Sequence, residues 1–274
     1  MKKTIFFVLT AILFPISSAH AGPAEDRQAL LDHYEKIFPK IRFEDYVYGS
    51  LSMDPSAKSQ YDDIMSFPPF SIDVDEGEKI WEKPFKNGKH FSSCFKNGGR
   101  NIAGNYPYYD TASHRVVTFE NAVNACLEAN GEKALLYGGT PMGLLTSYAR
   151  SLSDGMKVDV RVEGKEALSA YLEGKRYYHA RRGKQGFSCA SCHIDNVGKL
   201  IHGNRVSMMI GQATHYPEFI AGTELMTLQS RFRHCARNAG DKPLELNSAQ
   251  YNDLEYFMTY MSNGLPMQTP VFRK

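Results

Sequence analysis

Apolar side chains recur at helical spacing in three stretches of the chain. Leu30, Leu31, Tyr34 and Phe38 lay one stripe along a helix expected over about 24–38. Leu144 to Leu152 and Asp253 to Met261 show the same spacing, and each is closed by a glycine, Gly155 and Gly264. Between them, Val158 to Glu163 alternates apolar and charged residues, which predicts an extended segment. Pro68-Pro69 and the acidic stretch Asp73–Glu78 mark a boundary upstream. The pattern predicts a mainly α protein.

A different apolar run opens the chain. Lys2 and Lys3 precede Ile5 to Ile16, and Ala19-His20-Ala21 follows as a small-x-small site. This predicts a secretory signal peptide over 1–21, cut after Ala21. The run is shorter than the ~20 residues of a membrane span. No later segment is long and apolar enough, so no membrane insertion is expected. An exported mature chain then works in an oxidising compartment, in the style of a bacterial periplasm.

A chain of 274 residues with 42% apolar side chains can build two domains with real cores. The net charge of +2 gives no whole-chain case for nucleic acid. The run from Lys175 to Lys184 carries five cations and no anion. Such runs are ordinarily solvated surface; the alternative is a docking patch for an acidic partner.

The five cysteines are Cys94, Cys126, Cys189, Cys192 and Cys235. Cys189-Ala-Ser-Cys192-His193 is the attachment signature of a c-type haem. Two thiols add to the vinyl groups, and the following histidine is held where it can ligate iron. A zinc half-site would need a second ligand pair at compatible spacing, and none is visible. A redox dithiol would not need the histidine.

An internal repeat orders the other three. Phe119–Gly155 aligns without a gap on Leu228–Gly264 at an offset of 109, with Cys126 on Cys235, Gly131 on Gly240 and Ser153 on Ser262. Upstream, Phe91-Ser-Ser-Cys94-Phe95 lies on the haem motif, with Phe91 replacing a thiol and Phe95 the iron ligand. The chain is therefore expected to hold two cytochrome c-like domains, the N-terminal one lacking its haem. Expected boundaries are 22–70 for an N-terminal helical extension, 71–157 for the haem-less domain and 158–274 for the domain bearing one covalent haem. Cys94 and Cys126 are predicted to pair as a disulfide.

Cys235 is left over. It lies 42 residues after His193, where small cytochromes c place the distal ligand. Met226 is its competitor, and a methionine there would make a plain electron carrier. Arg231, Arg233 and Arg237 surround Cys235, and Arg231 would share its helix face. Neighbouring cations are expected to favour thiolate, the form that ligates metal and attacks sulfur.

With these pieces in hand, the sequence resembles the SoxA family, the catalytic subunits of the SoxAX cytochromes of thiosulfate-oxidising bacteria. The resemblance is carried by Asn105–Asp110, Val116–Glu120, Cys126, Cys189–His193, Arg231-x-x-x-Cys235 and Asn252–Gly264, and covers nearly the whole mature chain. Phe91 and Phe95 place it in the single-haem branch. The resemblance implies an L-cysteine S-thiosulfotransferase that joins thiosulfate oxidatively to a cysteine of a SoxYZ-type carrier. It implies Cys235 as distal ligand and catalytic sulfur, Arg231 as substrate-binding residue, and a SoxX-type cytochrome c as partner subunit. Arg233, Arg237 and the 175–184 run are candidate guides for the carrier.

Overall fold

Two sets of elements, built alike, make up the chain. The computed structural model describes residues 22–201, 203–220 and 224–273, so the expected signal segment 1–21 lies outside the described residues. None of the described helices is long and apolar enough to cross a membrane.

Helix α1 (Pro23–Ile37) starts on a proline, carries Glu25 and Asp26 in its first turn and Lys36 in its last, and buries Leu30 and Tyr34. That charge order complements the helix dipole. A 3-10 stretch, Phe43–Met53, leads to α2 (Pro55–Ser66), whose cap Asp54 accepts from the backbone N–H groups of Ser56 and Ala57. Helix α3 (Ser71–Glu82) follows Pro68-Pro69. A hairpin, β1 (Tyr108–Asp110) and β2 (Arg115–Val117), feeds α4 (Phe119–Ala129) and then α5 (Thr140–Ser151).

The second set repeats this order. Helix α6 (Lys165–His179) precedes the short α7 (Cys189–His193) and a small hairpin, β3 (Leu200–Ile201) with β4 (Asn204–Arg205). Next come β5 (Glu218–Ile220), β6 (Glu224–Met226), α8 (Leu228–Asn238) and α9 (Ala249–Met261). The last strand, β7 (Val271–Arg273), lies parallel to β5 and completes a three-stranded sheet in the order β6-β5-β7. Elements β2, α4 and α5 start 109 residues before β6, α8 and α9, the offset of the sequence repeat. The caps match as well: Thr118 accepts from the Asn121 N–H, Thr227 from the Ser230 N–H.

Each half is closed by a helix crossing at a glycine. A Cβ on Gly77 of α3 would overlap the Leu144 carbonyl of α5, and one on Gly174 of α6 would overlap the Asp253 carbonyl of α9. Only glycine permits helix backbones to approach so closely.

The cores differ. In the first half Trp81 stacks on Phe91 at 5.4 Å and on Phe95 at 5.5 Å, and Phe95 stacks on Phe119 at 5.8 Å. Phe91 and Phe95, which align with Cys189 and His193 in the repeat, are thus buried in an aromatic core. Cys94 and Cys126 are joined in a disulfide, as expected from the repeat.

Residues 158–163 run extended as predicted: Val158 and Val160 are buried, while Asp159, Arg161 and Glu163 are exposed. The segment is stitched on both sides, by Asp159 N–H to the Gly104 carbonyl and Val158 N–H to the Leu265 carbonyl, each 2.9 Å. The halves also meet at the starts of α4 and α8. There the Asn121 amide donates to Asn247 Oδ1 (2.6 Å); on the second half's side Gln229 Nε2 donates to Asn252 Oδ1 (2.8 Å) and Glu255 Oε2 (2.9 Å).

Candidate functional site

The Cys189–His193 motif forms a single helical turn because the serines before and within it close a capping box. Ser191 N–H donates to Ser188 Oγ and Ser188 N–H donates to Ser191 Oγ, both at 3.1 Å. The turn is then anchored from outside. Tyr34 of α1 donates its hydroxyl to the His193 carbonyl at 2.6 Å and accepts from the Met209 N–H at 3.0 Å. Helix α1 therefore braces the haem motif rather than the half that follows it in sequence.

His193 lies with Nδ1 3.0 Å from the Ser207 carbonyl and 2.8 Å from the Gln212 amide. A carbonyl partner needs a hydrogen on Nδ1, which leaves Nε2 as the lone-pair donor. That is the tautomer an iron ligand requires. Burial draws the His193 imidazole below its usual pKa, so it is neutral.

Opposite, Arg231 and Cys235 are four residues apart on α8 and share one face. Helix α8 buries only Leu228 and Gln229, whereas α4 buries Phe119, Asn121, Val123, Asn124, Cys126 and Leu127. The Cys235 side of α8 is left open, while the same side of α4 is filled by aromatic rings and the disulfide. The charge of Cys235 reaches Cys189 and that of Cys192 reaches Cys235, and Arg231 acts on both Cys235 and His193. The Tyr178 hydroxyl, buried without a partner, is under the influence of all three thiols. Two free thiols one turn apart, a neutral imidazole with Nε2 unspent and a third thiol on α8 within electrostatic reach fit the donor set of a c-type haem.

The arginines act differently from expectation. Cys235 is an exposed residue of α8, yet the protein crowding its sulfur raises the thiol pKa; Arg231 only opposes that push, and the nearby Glu218 carboxylate adds to it. The three-arginine cluster is a feature of the sequence rather than of the site. Arg233 is turned toward Tyr251, and its Nε is buried without a partner. Arg237 and His234 are exposed on the far turns of α8. Met226 is buried at the end of β6, in register with Glu218.

The 175–184 run is largely neutralised. Lys175 pairs with Asp26 at 2.6 Å, Arg176 with Glu173, and Arg182 with Asp241 at 3.1 Å while lying on the Tyr177 ring. It is a set of surface and inter-helix braces, not a free cationic patch.

One pair beside the site carried no sequence signal on its own. His215 Nε2 and Glu218 Oε2 lie 3.2 Å apart, both buried. Burial pushes His215 down to about 4, aided by Arg273. Burial alone would raise the Glu218 carboxyl, but His215, Arg231 and Arg273 outweigh it and hold it below the usual range. The aligned Tyr-Pro steps at 106–107 and 216–217 put Asn105 and Tyr108 where this pair stands. The contrast between the halves was the available signal.

Comparison with known proteins agrees with this layout. The family described as SoxA/TsdA, cytochrome c domain, matches residues 76–158 and 173–267. The chain is 39% identical to the L-cysteine S-thiosulfotransferase subunit SoxA of Chlorobaculum tepidum and 35% identical to that of Allochromatium vinosum, in both cases over the full length of both chains. Among solved structures, SoxXA from P. pantotrophus superposes with a TM-score of 0.72 at 26% identity, covering 79% of this chain and 84% of that one.

Proposed function

The chain belongs to the SoxA family, and from that premise we propose that it joins thiosulfate to a cysteine thiol of a SoxYZ-type carrier protein, with Cys235 as the reacting sulfur. The reaction forms one S–S bond between the carrier sulfur and the outer sulfur of thiosulfate. It releases one proton from the carrier thiol and two electrons.

Cys189 and Cys192 would hold a single c-type haem through thioethers, with His193 Nε2 and Cys235 Sγ as the donors available to its iron. The haem would supply a one-electron acceptor beside Cys235. Arg231 presents planar paired donors that match the oxygens of a sulfonate, and it holds the dianion against Cys235. The Cys235 thiolate and the outer thiosulfate sulfur combine with loss of two electrons into a Cys235–S–S–SO3 adduct. The carrier thiolate then attacks the outer sulfur, and Cys235 leaves as thiolate, the resolving step of ordinary thiol–disulfide exchange. A SoxX-type cytochrome c would be the partner subunit, and export to the periplasm would place the enzyme with both partners. Arg231 and Cys235 on one open face of α8, within electrostatic reach of Cys192 and His193, support this reading above any other observation.

The test is turnover with carrier, thiosulfate and an electron acceptor, read by mass spectrometry of the carrier cysteine. Cys235→Met is expected to keep the haem and the fold and to form no adduct. Adduct formation at the native rate by this variant would refute Cys235 as the reacting sulfur. Arg231→Lys keeps the charge but loses the paired donors, and a 10- to 100-fold fall in kcat/KM is expected, on the order of one charged hydrogen bond.

A further inference from the structure

Both hydrogen-bonding groups at Nδ1 of His193 come from one turn of chain. The Ser207 carbonyl is 3.0 Å away, and the Gln212 amide head is 2.8 Å from Nδ1 and 2.7 Å from Ser207 Oγ. A histidine that ligates through Nε2 carries its hydrogen on Nδ1. An amide nitrogen cannot donate to that N–H, but the amide oxygen can accept from it. Oxygen and nitrogen of the group exchange by a half turn about its last bond. In that orientation Gln212 Oε1 accepts from both His193 Nδ1 and the Ser207 hydroxyl, and both contacts are satisfied.

The two halves of the molecule supply an internal control. Ser262 Oγ accepts from the Gly211 N–H at 3.0 Å, and its counterpart Ser153 Oγ accepts from the Ile102 and Ala103 N–H groups at 3.1 Å. The aligned Tyr-Pro steps put Asn101-Ile102 on Gly211-Gln212, with Asn101 and Gly211 both at positive φ, so the apolar Ile102 stands where Gln212 does. The position that matches His193 is Phe95. Where the imidazole is lost, its amide partner is lost with it. Glutamine at 212 is thus not required by the fold of the turn.

We propose that Gln212 is a positioning residue for the axial imidazole: through its amide oxygen it fixes the His193 ring and strengthens electron donation from Nε2 to the iron. This rests on His193 being the iron ligand. A second acceptor on Nδ1–H draws the proton away from the ring and makes Nε2 the better donor. Better donation favours ferric over ferrous iron, the same direction as a thiolate on the opposite side.

The experiment is spectroelectrochemistry of the haem-loaded full chain, with low-spin ferric EPR as second readout. At a fixed ambient potential Gln212→Leu is expected to raise the ferrous-to-ferric ratio about tenfold, which is about 59 mV for a one-electron couple. Gln212→Glu, a stronger acceptor, should lower that ratio. Opposite shifts with unchanged haem content support the proposal. Equal ratios in all three proteins, or shifts of the same sign in both variants, overturn it. If Gln212→Leu does not take up haem, Gln212→Met replaces it with the same expectation. His193→Ala separates the premise: retention of the native low-spin signal in that variant would refute ligation by His193, whatever the Gln212 variants do.

Discussion

Glu255 shows what a single buried charge does to this molecule. It is 5% exposed on α9, accepts from Gln229, and faces Glu120 and the buried Arg150. Burial raises its carboxyl to about 8, Glu120 adds to the push, and Gln229 and Arg150 oppose it. In the unfolded chain the same group titrates near 4.5. Between those values the folded protein holds a proton that the unfolded chain has lost, so stability falls as pH rises through the window. Glu255→Gln keeps the neutral form at every pH. It should unfold in urea like the native protein near pH 4 and be more stable by roughly 2–4 kcal/mol at pH 8.5. Equal midpoints at pH 8.5 would show that folding does not raise the Glu255 carboxyl. Nothing in the local pattern warned of this residue, which sits in an ordinary amphipathic helix. His193, Cys189 and Cys192 were legible because attachment chemistry demands one fixed spacing. The His215–Glu218 pair and Gln212 were not, because their local spacing is ordinary and only the fold brings Arg231 and Arg273 to the pair and His193 to Gln212.

At the scale of elements, the repeat was readable only where side chains are constrained twice. Helices α4 and α8 keep their caps, cysteine and closing glycine in register, and the offset of 109 residues found them. The pair α3 and α6 shares almost nothing except Gly77 and Gly174, since each outer surface answers to different neighbours. The strands are two or three residues long, too short for an alternating pattern, and β7 pairs with a strand some fifty residues before it. The glycine crossings are the strictest demand the fold makes. Gly174→Ala would drive a methyl into the Asp253 carbonyl, and Gly77→Ala into that of Leu144. Each should cost about 1–3 kcal/mol by forcing the helices apart, measured as a lower urea midpoint with unchanged slope. A helix interior that merely tolerated glycine would instead gain about 0.5–1 kcal/mol from alanine, so the sign of the change decides the matter.

For the whole molecule, the two halves solve one packing problem in two ways. The first fills its centre with Trp81, Phe91, Phe95 and Phe119 and locks α4 through the Cys94–Cys126 disulfide. The second leaves α8 resting on Leu228 and Gln229 and borrows α1 to hold the cysteine turn, through Tyr34 and through the Asp26 pair with Lys175. That long reach of α1 was invisible in the sequence, where it reads as an extension leading into the nearer half. The consequence is an uneven distribution of stability. Helix stability comes from tertiary burial more than from propensity, and local opening follows the least buried elements. In a Cys189→Ser/Cys192→Ser protein, which cannot attach haem, α4 keeps all its buried neighbours and its disulfide. Helix α8 keeps two buried side chains and its cap. Amides of α8 should then exchange with deuterium roughly a hundredfold faster than those of α4, while the native haem-loaded protein narrows the gap. Similar protection of both helices in the variant would mean that the second half is held by its own side chains, and that Cys235 reaches its place without help from the group it faces.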